Sequence, residues 1–210
     1  MTFPPIDPAP LGIYPIVDRA RKLAVLYEAG ITTAQLRIKD LEGEALEAEV
    51  IEAVELSRSW GVRFFLNDHW QLAIRHGAYG VHLGQEDIRT ADLEALRSAG
   101  LRLGISSHTP EEITVALGYA PSYLAIGPIY PPLSKKLVYP PVGVDRFAQW
   151  AARATCPVVA IGGITRQTLV PLARTRAADG AALVTDILDA HGEIVPERLY
   201  TLQTLWSTHA

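Results

Sequence analysis

Hydrophobic and polar positions along this chain fall into a repeating pair: a short apolar run rich in Val, Ile, Leu, Tyr or Phe, then a longer segment with helical spacing and mixed charge. The pair recurs eight times, with apolar runs at 12–17, 33–38, 63–66, 80–83, 101–106, 122–126, 157–161 and 181–185. Most of these are too short for helices and too apolar for a sheet with one wet face. They read as parallel strands buried on both sides. The segments between them predict helices over 21–29, 43–60, 71–76, 91–99, 110–117, 144–154, 166–174 and 195–205. Thr109 followed by Pro110 and an acidic first turn marks one helix start, since a threonine oxygen can cap the turn and proline has no N–H to leave unpaired.

A doubly wound open sheet and a closed (βα)8 barrel both show this alternation. The count of eight favours the barrel, as does the placing of polar residues after the C-terminal ends of many different runs. The reading is therefore an α/β protein: one barrel domain over 11–210, preceded by an arm over 1–10. The arm carries four prolines, which fix φ and remove donors, so it is expected to lie extended on the surface or stay loose and to carry no chemistry.

Composition narrows the function classes. Of 210 residues, 49% are hydrophobic, enough for one sizeable core. The formal charge of -4 gives no field for a nucleic-acid backbone or an anionic membrane, so an anionic ligand must be held locally. The start of the chain has no basic segment leading into an apolar one, and no window approaches a membrane span, so a cytoplasmic protein is expected. Cys156 has no partner for a disulfide and reads as a buried, inert thiol.

The residues that close each run give the candidate chemistry: Asp18, then Gln35, Arg37 and Lys39, then Asn67 and Asp68, Gln85 and Asp87, Ser106, Ser107 and His108, Lys135, Gly162 and Gly163, and Thr185. In a barrel these converge on one mouth. Gln35, Arg37 and Lys39 alternate by two and so share a face, expected to be the barrel interior. One reading is a buried salt-bridge network. The other is an anion clamp, in which Arg37 offers a planar fork and Lys39 a point charge. Asp68 and Asp87 come from adjacent runs. Each alone could be a helix cap, whereas together beside a cationic clamp they suit Mg2+, which takes carboxylate and phosphate oxygens and keeps several waters.

His69, His82 and His108 fit no zinc spacing and read as packing or supporting residues. The segment 127–143 is long, rich in proline, and carries Ser134, Lys135 and Lys136, so it reads as a lid bearing a cation. Gly162 and Gly163 precede a helix at the position where barrels bind phosphate through backbone N–H groups. No Ser-His-Asp arrangement, catalytic cysteine or dinucleotide fingerprint is present. Two anion sites, one with a metal, suggest the joining of two phosphorylated molecules with a diphosphate leaving.

The strings QLRIKD, FFLNDH, GVHLGQED, LGISSHT, AIGPIYPPLSKK, VVAIGGI and ALVTDI, in this order, resemble the thiamine phosphate synthase family from Leu11 to Asp189. The resemblance implies a Mg2+-dependent transferase that joins hydroxymethylpyrimidine diphosphate to a thiazole phosphate and releases diphosphate. It implies that Gln35, Arg37, Lys39, Asn67, Ser106 and Lys135 hold the pyrimidine diphosphate, with Arg37, Lys39, Ser106 and Lys135 catalytic. It further implies Asp68 and Asp87 on the metal, and Pro132, Ser134, Gly163, Val184 and Thr185 at the thiazole phosphate. Pro132, where the family usually has threonine, and Asp186, a negative charge beside the thiazole phosphate, depart from the pattern. The expected partners are small phosphorylated molecules, with no nucleic acid and no membrane, and a homodimer is compatible with the chain. Two alternatives stay open: a thiazole tautomerase-like isomerase, which would need neither the two aspartates nor Lys135, and a phosphate-ligand binding module without catalysis.

Overall fold

In the computed structural model, which describes residues 2–6, 11–131 and 139–210, each apolar run becomes one strand. The strands are β1 (Gly12–Val17), β2 (Thr33–Leu36), β3 (Arg63–Asn67), β4 (Gly80–Leu83), β5 (Arg102–Ser107), β6 (Tyr123–Ile126), β7 (Val158–Ile161) and β8 (Gly180–Leu183). The helices between and after them are α1 (Ala20–Glu28), α2 (Gly43–Trp60), α3 (Trp70–His76), α4 (Leu93–Ser98), α5 (Pro110–Gly118), α6 (Val144–Ala151), α7 (Leu169–Ala173) and α8 (Pro196–His209). All neighbouring strands pair in parallel, and β1 closes on β8, so the sheet is the expected closed barrel. The predicted cap of α5 is present, with Thr109 Oγ1 accepting from the Glu112 N–H at 3.2 Å.

Two apolar regions build the barrel. A large one lies between strands and helices and includes Leu23, Leu26, Val50, Phe147, Leu169 and Leu199. A smaller one fills the barrel interior with Leu11, Tyr14, Ile16, Phe65, Tyr123, Ala125, Val159 and Ala182. Aromatic rings dominate the second: Phe65 and Tyr123 meet edge to face at 5.0 Å between centroids, the arrangement the ring quadrupoles prefer. Glycines make room for them. A Cβ on Gly104 of β5 would lie 2.2 Å from the Tyr123 ring, and one on Gly80 of β4 would lie 2.6 Å from Phe65.

The described part of the arm, residues 2–6, packs against the end of the barrel where the strands begin. Phe3 and Ile6 are buried, and the Arg97 guanidinium sits 4.5 Å above the Phe3 ring. Ser122 Oγ donates to Pro4 O at 2.6 Å, and the Phe3 N–H donates to Ala120 O. Ile6 joins the interior cluster, so the segment covers the face opposite the candidate chemistry. Cys156 lies near this end and is half-buried, less enclosed than expected. Its burial, and then the charge of Asp179, push the thiol up to about 11, which keeps it in the unreactive form.

Candidate active site

The strands deliver their last residues to a cavity of about 280 Å3 at their C-terminal ends. It is lined by Ile16, Gln35, Arg37, Lys39, Asn67, Asp68, His82, Gly84, Asp87, Ser106, His108 and Ile161. Two clefts of about 350 and 370 Å3 occur elsewhere, but neither brings a carboxylate to its wall. The mouth thus gathers the polar groups that the sequence placed after β2, β3, β4 and β5.

The alternation along β2 is kept, with one correction. Gln35 is buried inside the barrel, but β2 ends at Leu36, so Arg37 and Lys39 lie past the sheet and are exposed at the rim, not in the core. The physical reason is solvation: an unpaired cation inside the barrel would lose its water without compensation. At the rim Arg37 is exposed, and the Lys39 ammonium donates to the Asp68 carboxylate in a close ion pair. The Arg37 N–H still donates to Val17 O at 2.7 Å, which holds the chain beside β1 beyond the last ladder residue.

Asp68 follows Asn67, the last residue of β3, and has φ of 62°, a conformation that L side chains other than Asn and Asp rarely adopt. Its N–H donates to His82 O at 3.0 Å, so the turn is pinned to β4. Asp87 opens a short 3-10 turn, Asp87–Arg89, after Gly84. Neither aspartate caps a helix: α3 is entered through His69 and the 3-10 turn through Glu86, both without a side-chain cap. The two carboxylates instead face each other. Burial, then the charge of Asp68 and a hydrogen bond with it, hold the Asp87 carboxyl above the usual carboxylate range, with Lys39 opposing the rise. Among the described residues there is no group of three or more His, Cys, Asp or Glu placed to hold a metal ion.

Beneath the mouth lies a polar chain that sequence reasoning missed. Gln35 Nε2 donates to Tyr14 Oη at 3.2 Å, and Tyr14 Oη meets Tyr123 Oη at 2.9 Å. Tyr123 Oη meets His82 Nδ1 at 2.7 Å, and His82 Nε2 meets Ser106 Oγ at 2.8 Å. Burial pushes the imidazole down to about 4, so His82 is neutral at physiological pH. Tyr14 and Tyr123 sit in apolar runs and read as core by pattern. Their hydroxyls, facing inward in strands of a barrel with a polar mouth, were the available signal. Gln85 Nε2 donates to Ser106 O at 2.6 Å and steadies the end of β5.

His108 does not bond to this chain. Its Nδ1 and backbone N–H both contact Glu112 Oε2, at 2.8 and 2.6 Å, and its ring stacks on Tyr139 at 4.4 Å, where the segment after β6 re-enters the described residues. His69 packs at the rim with Nε2 buried and without a hydrogen-bond partner among the described residues.

Gly162 and Gly163 follow β7 with φ of 97° and 65°, and a Cβ on Gly163 would lie 2.6 Å from Tyr130 O. Glycine is needed there for both reasons. Val184 and Thr185 fall just past β8 and are exposed. These four are not among the residues lining the mouth cavity. Asp186 accepts from Arg166 through the backbone N–H at 2.8 Å and through Nε at 3.0 Å, so its charge is balanced within the loops after β7 and β8. Pro132, Ser134 and Lys135 lie outside the described residues.

Fold and mouth together define a (βα)8-barrel enzyme whose working end combines paired carboxylates, exposed cations and buried neutral hydrogen-bonding groups. The chain belongs to the thiamine monophosphate synthase family, whose model matches residues 13–187. A thiamine-phosphate synthase of Escherichia coli O1:K1 / APEC is 46% identical over 206 residues, covering 97% of this chain and 94% of that one. One of Salmonella schwarzengrund (strain CVM19633) is 45% identical over 201 residues, covering 90% and 95%. Among solved structures, a thiamine phosphate pyrophosphorylase from Pyrococcus furiosus superposes with a TM-score of 0.83 at 26% identity, covering 95% of this chain and 97% of that one. Among the described residues no helix is long and apolar enough to cross a membrane.

Proposed function

We propose that this chain is a transferase that joins 4-amino-2-methyl-5-hydroxymethylpyrimidine diphosphate to a thiazole phosphate, giving thiamine phosphate and diphosphate. The observation that carries the reading is the meeting of Arg37 and Lys39 with Asp68 and Asp87 at one mouth. The relatives of known name lend it the reaction.

The carboxylate pair fits a hard divalent cation. Its donors are all oxygen, and burial first, then the charge of Asp68, hold the Asp87 carboxyl above the usual carboxylate range, a cost that a bound cation would offset. Asp68 and Asp87 would hold Mg2+, which when bound would neutralise charge on the diphosphate. Arg37 would clamp phosphate oxygens with its planar fork and Lys39 would add a mobile point charge. Gln35 and Asn67, at the ends of their strands, would orient the pyrimidine end, and Ser106 would contact its ring. Lys135 would bring a further cation to the departing group.

The carbon–oxygen bond to the diphosphate breaks with the electron pair leaving on oxygen, and the thiazole nitrogen supplies the pair for the new carbon–nitrogen bond. No strong base is needed. Positioning and electrostatic stabilisation of the leaving group account for the catalysis. Gly163, Val184 and Thr185, with Pro132 and Ser134, would hold the thiazole phosphate outside the central cavity. The ligands of this reading are small phosphorylated molecules in the cytoplasm. Neither nucleic acid nor membrane has a part in it, and a homodimer is compatible with it.

The test is diphosphate release on mixing protein with both substrates, with and without Mg2+. Release that needs both substrates and the metal supports the proposal. Tight binding of either substrate without release overturns it in favour of a binding module.

A further inference from the structure

The buried chain from Gln35 to Ser106 has a direction, set by the carboxamide nitrogen that Gln35 turns to Tyr14 and by counting hydrogens from there. Gln35 donates through its carboxamide nitrogen, so Tyr14 Oη accepts. Tyr14 has one hydroxyl hydrogen and, among the described residues, one remaining partner, Tyr123. If Tyr123 donated instead, the Tyr14 hydrogen would be orphaned in the barrel interior, where an unpaired donor costs more than a hydrogen bond contributes. Tyr14 therefore donates to Tyr123, and Tyr123, its own oxygen now accepting, donates to His82 Nδ1. A neutral imidazole that accepts at Nδ1 carries its hydrogen on Nε2, which donates to Ser106 Oγ.

We propose that Tyr14, Tyr123 and His82 are positioning residues that hold His82 in the Nε2–H form. The Ser106 hydroxyl, already accepting from His82, is then left to donate into the mouth. The site would select a heterocycle that presents a lone pair there, such as an unprotonated ring nitrogen, against one that presents a hydrogen. The geometry supports a fixed relay: Tyr123 stacks on the His82 ring at 5.6 Å, Gly104 clears the space that Tyr123 fills, and all three positioning side chains are buried. The identity of the heterocycle rests on the proposed function. The direction of the chain does not.

Two measurements on the full-length protein test it. With 15N-labelled histidine, long-range 1H–15N spectra at neutral pH are expected to show His82 with Nε2 protonated and Nδ1 bare. An Nδ1–H ring or an imidazolium overturns the relay. For Tyr123→Phe, the fixed Nε2–H signature is expected to be lost. KM for the pyrimidine diphosphate should rise about tenfold, the worth of one oriented hydrogen bond, with KM for the thiazole phosphate unchanged. A pyrimidine analogue with C–H in place of the ring nitrogen should bind wild type and variant alike. Unchanged kinetics in the variant, or an analogue penalty as large in the variant as in wild type, overturns the proposal. Tyr14→Phe, which breaks the chain one link earlier, is expected to act in the same way and serves should Tyr123→Phe not fold. If wild type forms no thiamine phosphate while His82 shows the Nε2–H form, the functional reading fails and the relay stands.

Discussion

The carboxylates of Asp68 and Asp87 line the mouth of the barrel together, and Lys39 pairs with Asp68. Two like charges so placed are costly to ionise together. The cost falls on the fold. Burial first, and then the charge of Asp68, raise the Asp87 carboxyl above its unfolded value, so its ionised form is the less stable one in the folded protein, and the loss is complete once pH exceeds the folded pKa.

Asp87→Asn is therefore expected to raise the melting temperature of the metal-free protein at neutral pH by about 1–3 °C. The same change should abolish stabilisation by added Mg2+ and most turnover. Thermal unfolding with and without Mg2+ checks this. A variant that melts lower than wild type without metal would show that the pair is not under repulsion.

His82 gives a second pH dependence of opposite direction. Burial pushes its imidazole from 6.5 to about 4, so between these values the unfolded chain binds a proton that the folded one refuses. Stability from this group is intact above about pH 6.5 and falls as pH is lowered toward 4, by on the order of 3 kcal/mol in full. Urea unfolding across that window, with an NMR titration of His82, is the measurement. Titration of His82 near 6.5 in the folded protein would refute it.

Gly104→Ala places a Cβ 2.2 Å from the Tyr123 ring and must displace it. Overpacking of this kind is expected to destabilise by about 1–3 kcal/mol and to weaken pyrimidine diphosphate binding through the lost contact to His82. Gly163→Ala should behave differently. With φ of 65° and Tyr130 O 2.6 Å from the new Cβ, it perturbs the loop after β7 and should raise KM for the thiazole phosphate while leaving that for the pyrimidine diphosphate unchanged. Steady-state kinetics with each substrate varied separates the two.

Asp186 looks, from its position in the chain, like a charge set against a phosphate. Arg166 already neutralises it. Asp186→Ala is therefore expected to weaken thiazole phosphate binding by loosening the loops after β7 and β8, not to strengthen it by removing repulsion. A lower KM for the thiazole phosphate in this variant would restore the repulsive reading.

What the sequence determined by itself was periodic or local. Buried parallel strands must be apolar throughout, so the eight runs and the closed barrel were legible, as were the Thr109 cap and the assignment of Gln35, Asp68, Asp87 and Ser106 to one end of the sheet. Where a run ends was less so. Pattern cannot tell a buried Arg37 from one that has just cleared the sheet, because alternation continues past the last ladder bond while solvation decides where the sheet stops.

Only the tertiary structure decided the rest. Tyr14, Tyr123 and His82 come from β1, β6 and β4 and look like core residues one at a time. Curvature of the barrel brings their polar atoms within hydrogen-bond reach, and the burial of all three side chains makes the count of their hydrogens binding. Like-charge contact between Asp68 and Asp87, and the neutralisation of Asp186 by Arg166, have the same cause: Coulomb and desolvation energies depend on separation in space, which sequence distance does not encode.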